Sequence, residues 1–178
     1  MQVVRVLIDE EQVGQGVRRM AQFITAQHGD RPLTVLGVMT GSVVLLADLI
    51  RLLEMPLRVG VIQASSYRGG TQRGELTIHD ELMPTITGCD VLVLDDIFDT
   101  GHTLAAIVRR LEMLGAASIR TAVLLRKEGT QVVAMEPDFA AFDIPDEFVV
   151  GYGLDYQDAY RNLPYIAVLE SDDLHHAK

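Results

Sequence analysis

The chain has 178 residues, 48% of them hydrophobic, and carries 15 Lys and Arg against 25 Asp and Glu, which gives a formal net charge of −10. This length suits one well-buried domain, and the composition argues against disorder. The acidic balance disfavours nucleic acid and anionic membranes as partners. A single cysteine, Cys89, excludes an internal disulfide. Because the N-terminus is acidic and no apolar run is long, we expect a cytoplasmic protein.

Hydrophobic periodicity predicts strands that alternate with helices along the chain. A helix begins near Asp9 and ends at His28-Gly29. The polar, glycine-rich segment 67–76 is typical of a mobile loop or hairpin. The other predicted elements are strands at 33–39, 57–66, 91–96 and 119–126, helices at 43–55 and 102–114, and short strands around 139–142, 148–151 and 165–169.

Continuously apolar strands between helices indicate an α/β fold, a twisted and mainly parallel sheet with helices on both faces. Ligands of such sheets bind beyond the carboxyl ends of the strands. The loops that follow residues 39, 66 and 96 should therefore face one another around a common site.

The most informative stretch is "VLVLDDIFDTGHTL", residues 91–104. A buried run ends in paired carboxylates, and a threonine-rich turn then opens a helical pattern. The amides of a helix N-terminus, with hydroxyls nearby, can bind a dianionic phosphate. Carboxylates would repel that phosphate, so they suit sugar hydroxyls, a divalent cation or a proton. A helix cap needs only one such acid. The polar residues are Asp95, Asp96, Asp99, Thr100, Gly101, His102 and Thr103.

This stretch resembles the ribose-phosphate-binding signature of the type I phosphoribosyltransferases. "IPDEFVVGYGLDYQDAYRNLPYI" (144–166) resembles the carboxyl-terminal hood of the hypoxanthine-guanine phosphoribosyltransferases. "SSYRGGTQRGEL" (65–76) is similar to their flexible loop, and "MTGS" (39–42) stands where they have a pyrophosphate loop. The resemblance implies one domain over 1–178. Its core would span about 30–130, and a small hood subdomain would span about 131–170 together with the N-terminal segment.

The resemblance also implies an activity, the enzymatic transfer of a phosphoribosyl group in purine salvage. The substrates would be phosphoribosyl pyrophosphate and hypoxanthine or guanine, and the products IMP or GMP and pyrophosphate. Mg²⁺ would be the cofactor, and the protein would be a homodimer or homotetramer.

The family's residue roles carry over where this sequence matches its motifs. Asp95 and Asp96 would hold the ribose hydroxyls and, with Asp155, the metal. Asp99 would be the general base or acid at purine N7. The 5′-phosphate would be bound by Thr100, Gly101, His102 and Thr103.

The remaining roles concern the base, the leaving group and the lid. Phe148 would stack on the purine, Val149 would read its edge, and Arg161 would contact pyrophosphate. Ser66 and Tyr67 would close over the reacting centre. The pyrophosphate loop would comprise Met39, Thr40, Gly41 and Ser42, with a cis Met39–Thr40 peptide bond and backbone donors at Gly41 and Ser42.

Three positions depart from the family pattern. Asp95 replaces a common glutamate, and Thr40 replaces a lysine or arginine. Glu136 stands before "PDF", where a lysine donates to the purine 6-oxo group. Either Glu136 faces the base and alters the specificity, or it lies in solvent. Lys127 or Arg126 could reach in from the preceding strand end; otherwise the base would be read differently, through a ring N–H or an exocyclic amine.

Two other classes of protein deserve comparison. One is a non-catalytic nucleotide-sensing regulator on the same fold, as in the pyrimidine-operon attenuators, which lack an acid at the position of Asp99. The other is a receiver domain, which is excluded because its acidic pair should end the first strand.

Overall fold

The computed structural model describes residues 5–66 and 76–169. A 3-10 turn at Ile50–Leu52 follows the second helix. The remaining elements are β1 (Arg5–Ile8), α1 (Glu10–His28), β2 (Leu33–Met39), α2 (Val43–Leu49), β3 (Leu57–Ser66), β4 (Leu76–His79), β5 (Asp90–Phe98), α3 (His102–Met113), β6 (Ser118–Lys127), β7 (Phe139–Ile144), β8 (Val149–Val150) and β9 (Ile166–Val168).

The main sheet has six strands in the order β4-β3-β2-β5-β6-β7. All neighbouring strands are parallel except β3 and β4, which are antiparallel. Ser66 pairs with Leu76, so β3 and β4 flank residues 67–75. These residues lie outside the described ones, and they include all of the predicted loop at 67–76 except Leu76. The mainly parallel α/β sheet is confirmed.

Helices cover both faces of this sheet, as predicted. In β5, Leu92 and Leu94 pack into the cluster that contains α1 and α2. Val91 and Val93 pack into the cluster that contains α3. This division follows from the alternation of side chains along a strand.

The ends of the helices follow from local chemistry. The Asp9 carboxylate accepts from the Gln12 amide at 2.8 Å, and the Gln12 side chain accepts from the Asp9 amide at 2.9 Å. This capping box starts α1 at the predicted place. The helix predicted over 43–55 is shorter, because α2 ends at Leu49 and the 3-10 turn ends at Leu52. Met55 precedes Pro56, whose ring disfavours a helical conformation in the residue before it.

A second, smaller sheet joins the two ends of the described chain. Its order is β1-β9-β8, and both pairs are antiparallel. Val168 of β9 pairs with Arg5 on one side and with Val149 on the other. No helix within the described ranges combines the length and apolarity needed to cross a membrane.

Candidate active site

A cavity of about 430 Å³ lies at the carboxyl ends of β2 and β5. These strands are parallel neighbours, so the loops that follow them meet at one edge of the sheet. Segments that are far apart in sequence come together here. The predicted site residues that line the cavity are Met39, Thr40, Gly41, Asp95, Asp96, Asp99, Thr100, Gly101, Thr103, Asp155 and Arg161.

The acidic pair lies within β5 and not after it. The prediction that the strand ends at residue 96 is wrong, because Ile97 and Phe98 continue the pairing with β6. Asp95 is only 6% exposed. One of its oxygens accepts from the Asp96 amide at 3.0 Å, and Asp96 accepts from the Ile97 amide at 2.8 Å.

Burial dominates the electrostatics of these two carboxyls. It raises the pKa of Asp95 well above its ordinary value, and repulsion from Asp96 and the hydrogen bond between the two side chains add to this rise. Burial also raises the pKa of Asp96, although the hydrogen bond from Asp95 and the charge of Arg161 oppose that rise. The pair therefore retains a proton more readily than two exposed aspartates would.

The turn before α3 is suited to an anion. Gly101 is the N-cap residue, with φ of 84°, and no side chain caps the helix. A Cβ at Gly101 would overlap Val133 and press against Phe98, so glycine is required by packing as well as by conformation. Thr100 and Thr103 line the cavity, whereas the exposed His102 does not. Amides at this helix start can therefore receive a phosphate.

The predicted pyrophosphate loop reaches the acidic pair. Its Met39–Thr40 peptide bond is cis, as the resemblance implies. Gly41 packs so closely on Asp96 that a Cβ would overlap the carboxylate. Ser42 is the exception. It is buried, and both its amide (3.3 Å) and its hydroxyl (2.7 Å) donate to the Val38 carbonyl. The predicted free donor at Ser42 is therefore used within the loop.

Arg161 enters the cavity from the turn between β8 and β9. Its Nη2 lies 2.8 Å from Asp155 Oδ1, and its Nη1 donates to the Gly153 carbonyl at 2.7 Å. The other Asp155 oxygen accepts from the Asp158 amide at 2.9 Å. Arg161 is therefore held as a fixed cation at the edge of the site.

The protein side chains alone do not form a complete metal site. Across residues 5–66 and 76–169, no group of three or more His, Cys, Asp or Glu side chains is arranged to hold an ion. Mg²⁺ commonly binds through one or two carboxylates, with substrate phosphates and water completing the octahedron. Asp155 at the cavity edge fits that kind of binding.

Lys127, at the end of β6, is the polar residue to which the sequence analysis gave too little weight. Its side chain is 12% exposed, and its ammonium lies 3.7 Å from Asp99 and 2.9 Å from Asp146. It therefore stands beside the predicted general base. Asp99 itself is 46% exposed and lines the 430 Å³ cavity.

Glu136 lies in a different environment. Its side chain is 58% exposed and 3.1 Å from Arg126, which also binds Asp143 at 2.6 Å. Both contacts raise the pKa of Arg126. Glu136 and Lys127 both line a separate cavity of about 260 Å³ and not the 430 Å³ one, so the exposure and the ion pair of Glu136 distinguish the two residues. Of the two interpretations of Glu136, the structure therefore favours the one that puts it at the surface.

Phe148 and Val149 are not among the residues that line this cavity. Phe148 is 41% exposed and meets Tyr156 edge to face, with 5.6 Å between the ring centroids. Val149 is buried in β8. Ser66 ends β3, and Tyr67 lies outside the described residues.

Comparison with known proteins identifies the family. The phosphoribosyl transferase domain model matches residues 7–157. A hypoxanthine-guanine phosphoribosyltransferase of Staphylococcus epidermidis is 41% identical over 168 residues, which cover 94% of each chain. The crystal structure of such an enzyme from Bacillus anthracis, with HEPES in its active site, gives a TM-score of 0.90 at 35% identity and covers 95% of this chain and 100% of its own. A hypoxanthine phosphoribosyltransferase from Staphylococcus aureus gives 0.90 at 35% identity, covering 99% of this chain and 95% of its own. The chain therefore belongs to the phosphoribosyltransferases, and its similarity to the hypoxanthine-guanine members extends over nearly its whole length.

Proposed function

We propose that this enzyme transfers the phosphoribosyl group of phosphoribosyl pyrophosphate to hypoxanthine or guanine, giving IMP or GMP and pyrophosphate. One observation carries the proposal. A single cavity collects an anion-binding helix start, a buried acidic pair, the predicted pyrophosphate loop and a fixed arginine. These groups match the 5′-phosphate, the ribose hydroxyls and the pyrophosphate of one substrate. The names of the similar proteins support the choice of purine base.

The ribose 5-phosphate half would lie along the end of β5. Thr100, Thr103 and the amides that open α3 would bind the 5′-phosphate. Asp95 and Asp96 would accept hydrogen bonds from the two ribose hydroxyls. Negative charge on this pair would also stabilise the oxocarbenium character that develops at the anomeric carbon when pyrophosphate leaves.

The pyrophosphate half would lie between the loop at 39–42 and the hood. Arg161 would donate to the pyrophosphate oxygens, as would the amide of Gly41. Asp155 would hold Mg²⁺ together with substrate oxygens and water. When bound, the ion would neutralise the charge of the leaving pyrophosphate. Since Thr40 provides no cation, Arg161 would be the main protein charge opposite this group.

The base would be read from the β6 side of the site. Lys127 is positioned to donate to the purine 6-oxo group, because its ammonium lies 3.7 Å from Asp99 and is nearly buried. Asp99 would exchange a proton with purine N7 as the new bond forms. The exposed ring of Phe148 would stack on the base, and Val149 backbone groups would read its edge. Closure of Ser66 and Tyr67 would keep water from hydrolysing the activated sugar.

A panel of nucleobases tests the proposal. Hypoxanthine, guanine, xanthine, adenine and uracil are each incubated with phosphoribosyl pyrophosphate, with and without Mg²⁺, and the nucleotides are separated by chromatography. We expect IMP and GMP to form only with Mg²⁺. Efficient turnover of another base alone would support altered specificity. Tight nucleotide binding without turnover would support the regulator.

We further propose a cytoplasmic homodimer or homotetramer, as the resemblance implies. Sedimentation velocity at micromolar concentration distinguishes these assemblies from a monomer.

A further inference from the structure

A turn of the hood connects the two sides of the pyrophosphate site. Tyr152 lies between Gly151 and Gly153 with a φ of 48°, and its side chain is buried. Its hydroxyl donates to Asp48 Oδ2 at 2.7 Å. Asp48 belongs to α2, the helix that begins directly after the pyrophosphate loop. One hydrogen bond therefore joins the hood to the element that carries this loop.

The same turn touches the loop and holds Arg161. A Cβ on Gly153 would overlap the carbonyl oxygen of Gly41, so the two backbones are in close contact. The Gly153 carbonyl accepts from Arg161 Nη1 at 2.7 Å, and its amide donates to the Arg161 carbonyl at 3.0 Å. Any shift of this turn against α2 would therefore displace the loop relative to Arg161 and its partner Asp155.

The Tyr152–Asp48 hydrogen bond is suited to this task. An O–H donor with a carboxylate acceptor makes a charge-assisted bond, which is stronger than a neutral one. Burial, and then the contact with Asp48, raises the pKa of Tyr152, so its hydroxyl remains a donor at neutral pH. Asp48 also forms an ion pair with Arg51, whose guanidinium is 3.7 Å away and whose side chain is largely exposed. Such a surface pair contributes little.

We propose that Tyr152 and Asp48 are positioning residues, whose hydrogen bond sets the distance between the pyrophosphate loop and the Arg161–Asp155 pair. This inference rests on the proposed function, because that function assigns pyrophosphate to the site. Neither residue lines the 430 Å³ cavity, so both act through the groups that they hold. Their loss should selectively weaken the binding of phosphoribosyl pyrophosphate, since a nucleoside monophosphate carries no pyrophosphate.

The test uses Tyr152→Phe, Asp48→Ala and the double variant. Alanine is the best helix former, so Asp48→Ala does not weaken α2 by its propensity. We expect the KM for phosphoribosyl pyrophosphate, and its Kd by calorimetry with Mg²⁺, to rise roughly five- to tenfold in each variant. The KM for hypoxanthine and the Kd for GMP should stay near the wild-type values. The double variant should be no worse than either single variant.

Two further variants serve as controls. Asp48→Asn keeps an acceptor oxygen and should restore most of the affinity. Arg51→Gln removes the other partner of Asp48 and should behave as wild type. An equal loss of GMP affinity, additive losses in the double variant, or unchanged affinity would each overturn the positioning role. If the wild type itself neither binds nor consumes phosphoribosyl pyrophosphate, the proposed function fails and this inference fails with it.

Discussion

Lys127→Met should impair the recognition of 6-oxopurines, because it removes the only nearly buried ammonium that we propose for the base site. Methionine keeps most of the length of the side chain without its charge. A hydrogen bond from a charged donor contributes about 1.5–3 kcal/mol. Because Lys127 is 12% exposed, little solvent can replace that bond. We therefore expect kcat/KM for hypoxanthine and guanine to fall about 10- to 150-fold.

Initial rates at saturating phosphoribosyl pyrophosphate, with hypoxanthine, guanine and unsubstituted purine as acceptors, measure this effect. Unsubstituted purine has no 6-oxo group, so any loss that it shares with hypoxanthine reports a disturbed site and not the missing hydrogen bond. Thermal unfolding of Lys127→Met provides a second control, because the substitution leaves Asp99 and Asp146 without their shared cation.

Glu136 provides the matched comparison. Its side chain is 58% exposed and paired with Arg126, so Glu136→Lys should change kcat/KM for hypoxanthine less than about twofold. If Glu136→Lys instead raised kcat/KM for hypoxanthine tenfold while Lys127→Met had no effect, the assignment of Lys127 would be refuted. Glu136 would then be the residue that faces the base.

Three further predictions concern the end of β5 and the start of α3. Asp99→Asn should slow turnover about 10²-fold while GMP binding, measured by calorimetry, is retained. Thr103→Asp should weaken the binding of GMP and phosphoribosyl pyrophosphate at least tenfold in the same assay, since it adds a like charge beside the phosphate. Unchanged affinity would contradict the placement of the phosphate at this turn. Asp95→Asn should raise the unfolding temperature at pH 7, by about 2–4 °C for each kcal/mol added to the free energy of unfolding. It should have little effect below the ordinary pKa of an aspartate. The reason is that the raised pKa of Asp95 makes the fold lose stability as pH rises above that ordinary value.

Much of the fold could be predicted because its signals are local. Local residues alone predict the start of the first helix at Asp9 and the apolar strands at 33–39 and 119–126. The structure confirms all three. β1 and β4 were not predicted. β1 pairs with β9, which is far away in sequence, whereas β4 pairs with the preceding strand β3 across residues 67–75.

The base site could not be predicted as well, because the direction of a side chain depends on strand geometry. Linear matching to the "PDF" motif drew attention to Glu136. In the structure, Arg126 and Lys127 are adjacent in β6 but have different ionic partners. Arg126 meets Glu136 and Asp143 at the surface, while Lys127 meets Asp99.

The pyrophosphate site shows most clearly what sequence reasoning leaves out. The motifs locate Gly41, Asp96 and Arg161 separately, but they do not reveal that a series of close contacts through Gly153 links all three. Gly41 packs against the Asp96 carboxylate on one side and against Gly153 on the other, and Gly153 holds Arg161. A side chain at Gly41 or Gly153 would push the strand end, the loop and the hood apart. The proposed ribose and pyrophosphate halves of the site therefore share one packing arrangement, so a change that loosens the hood should weaken the binding of pyrophosphate before it weakens the binding of the base.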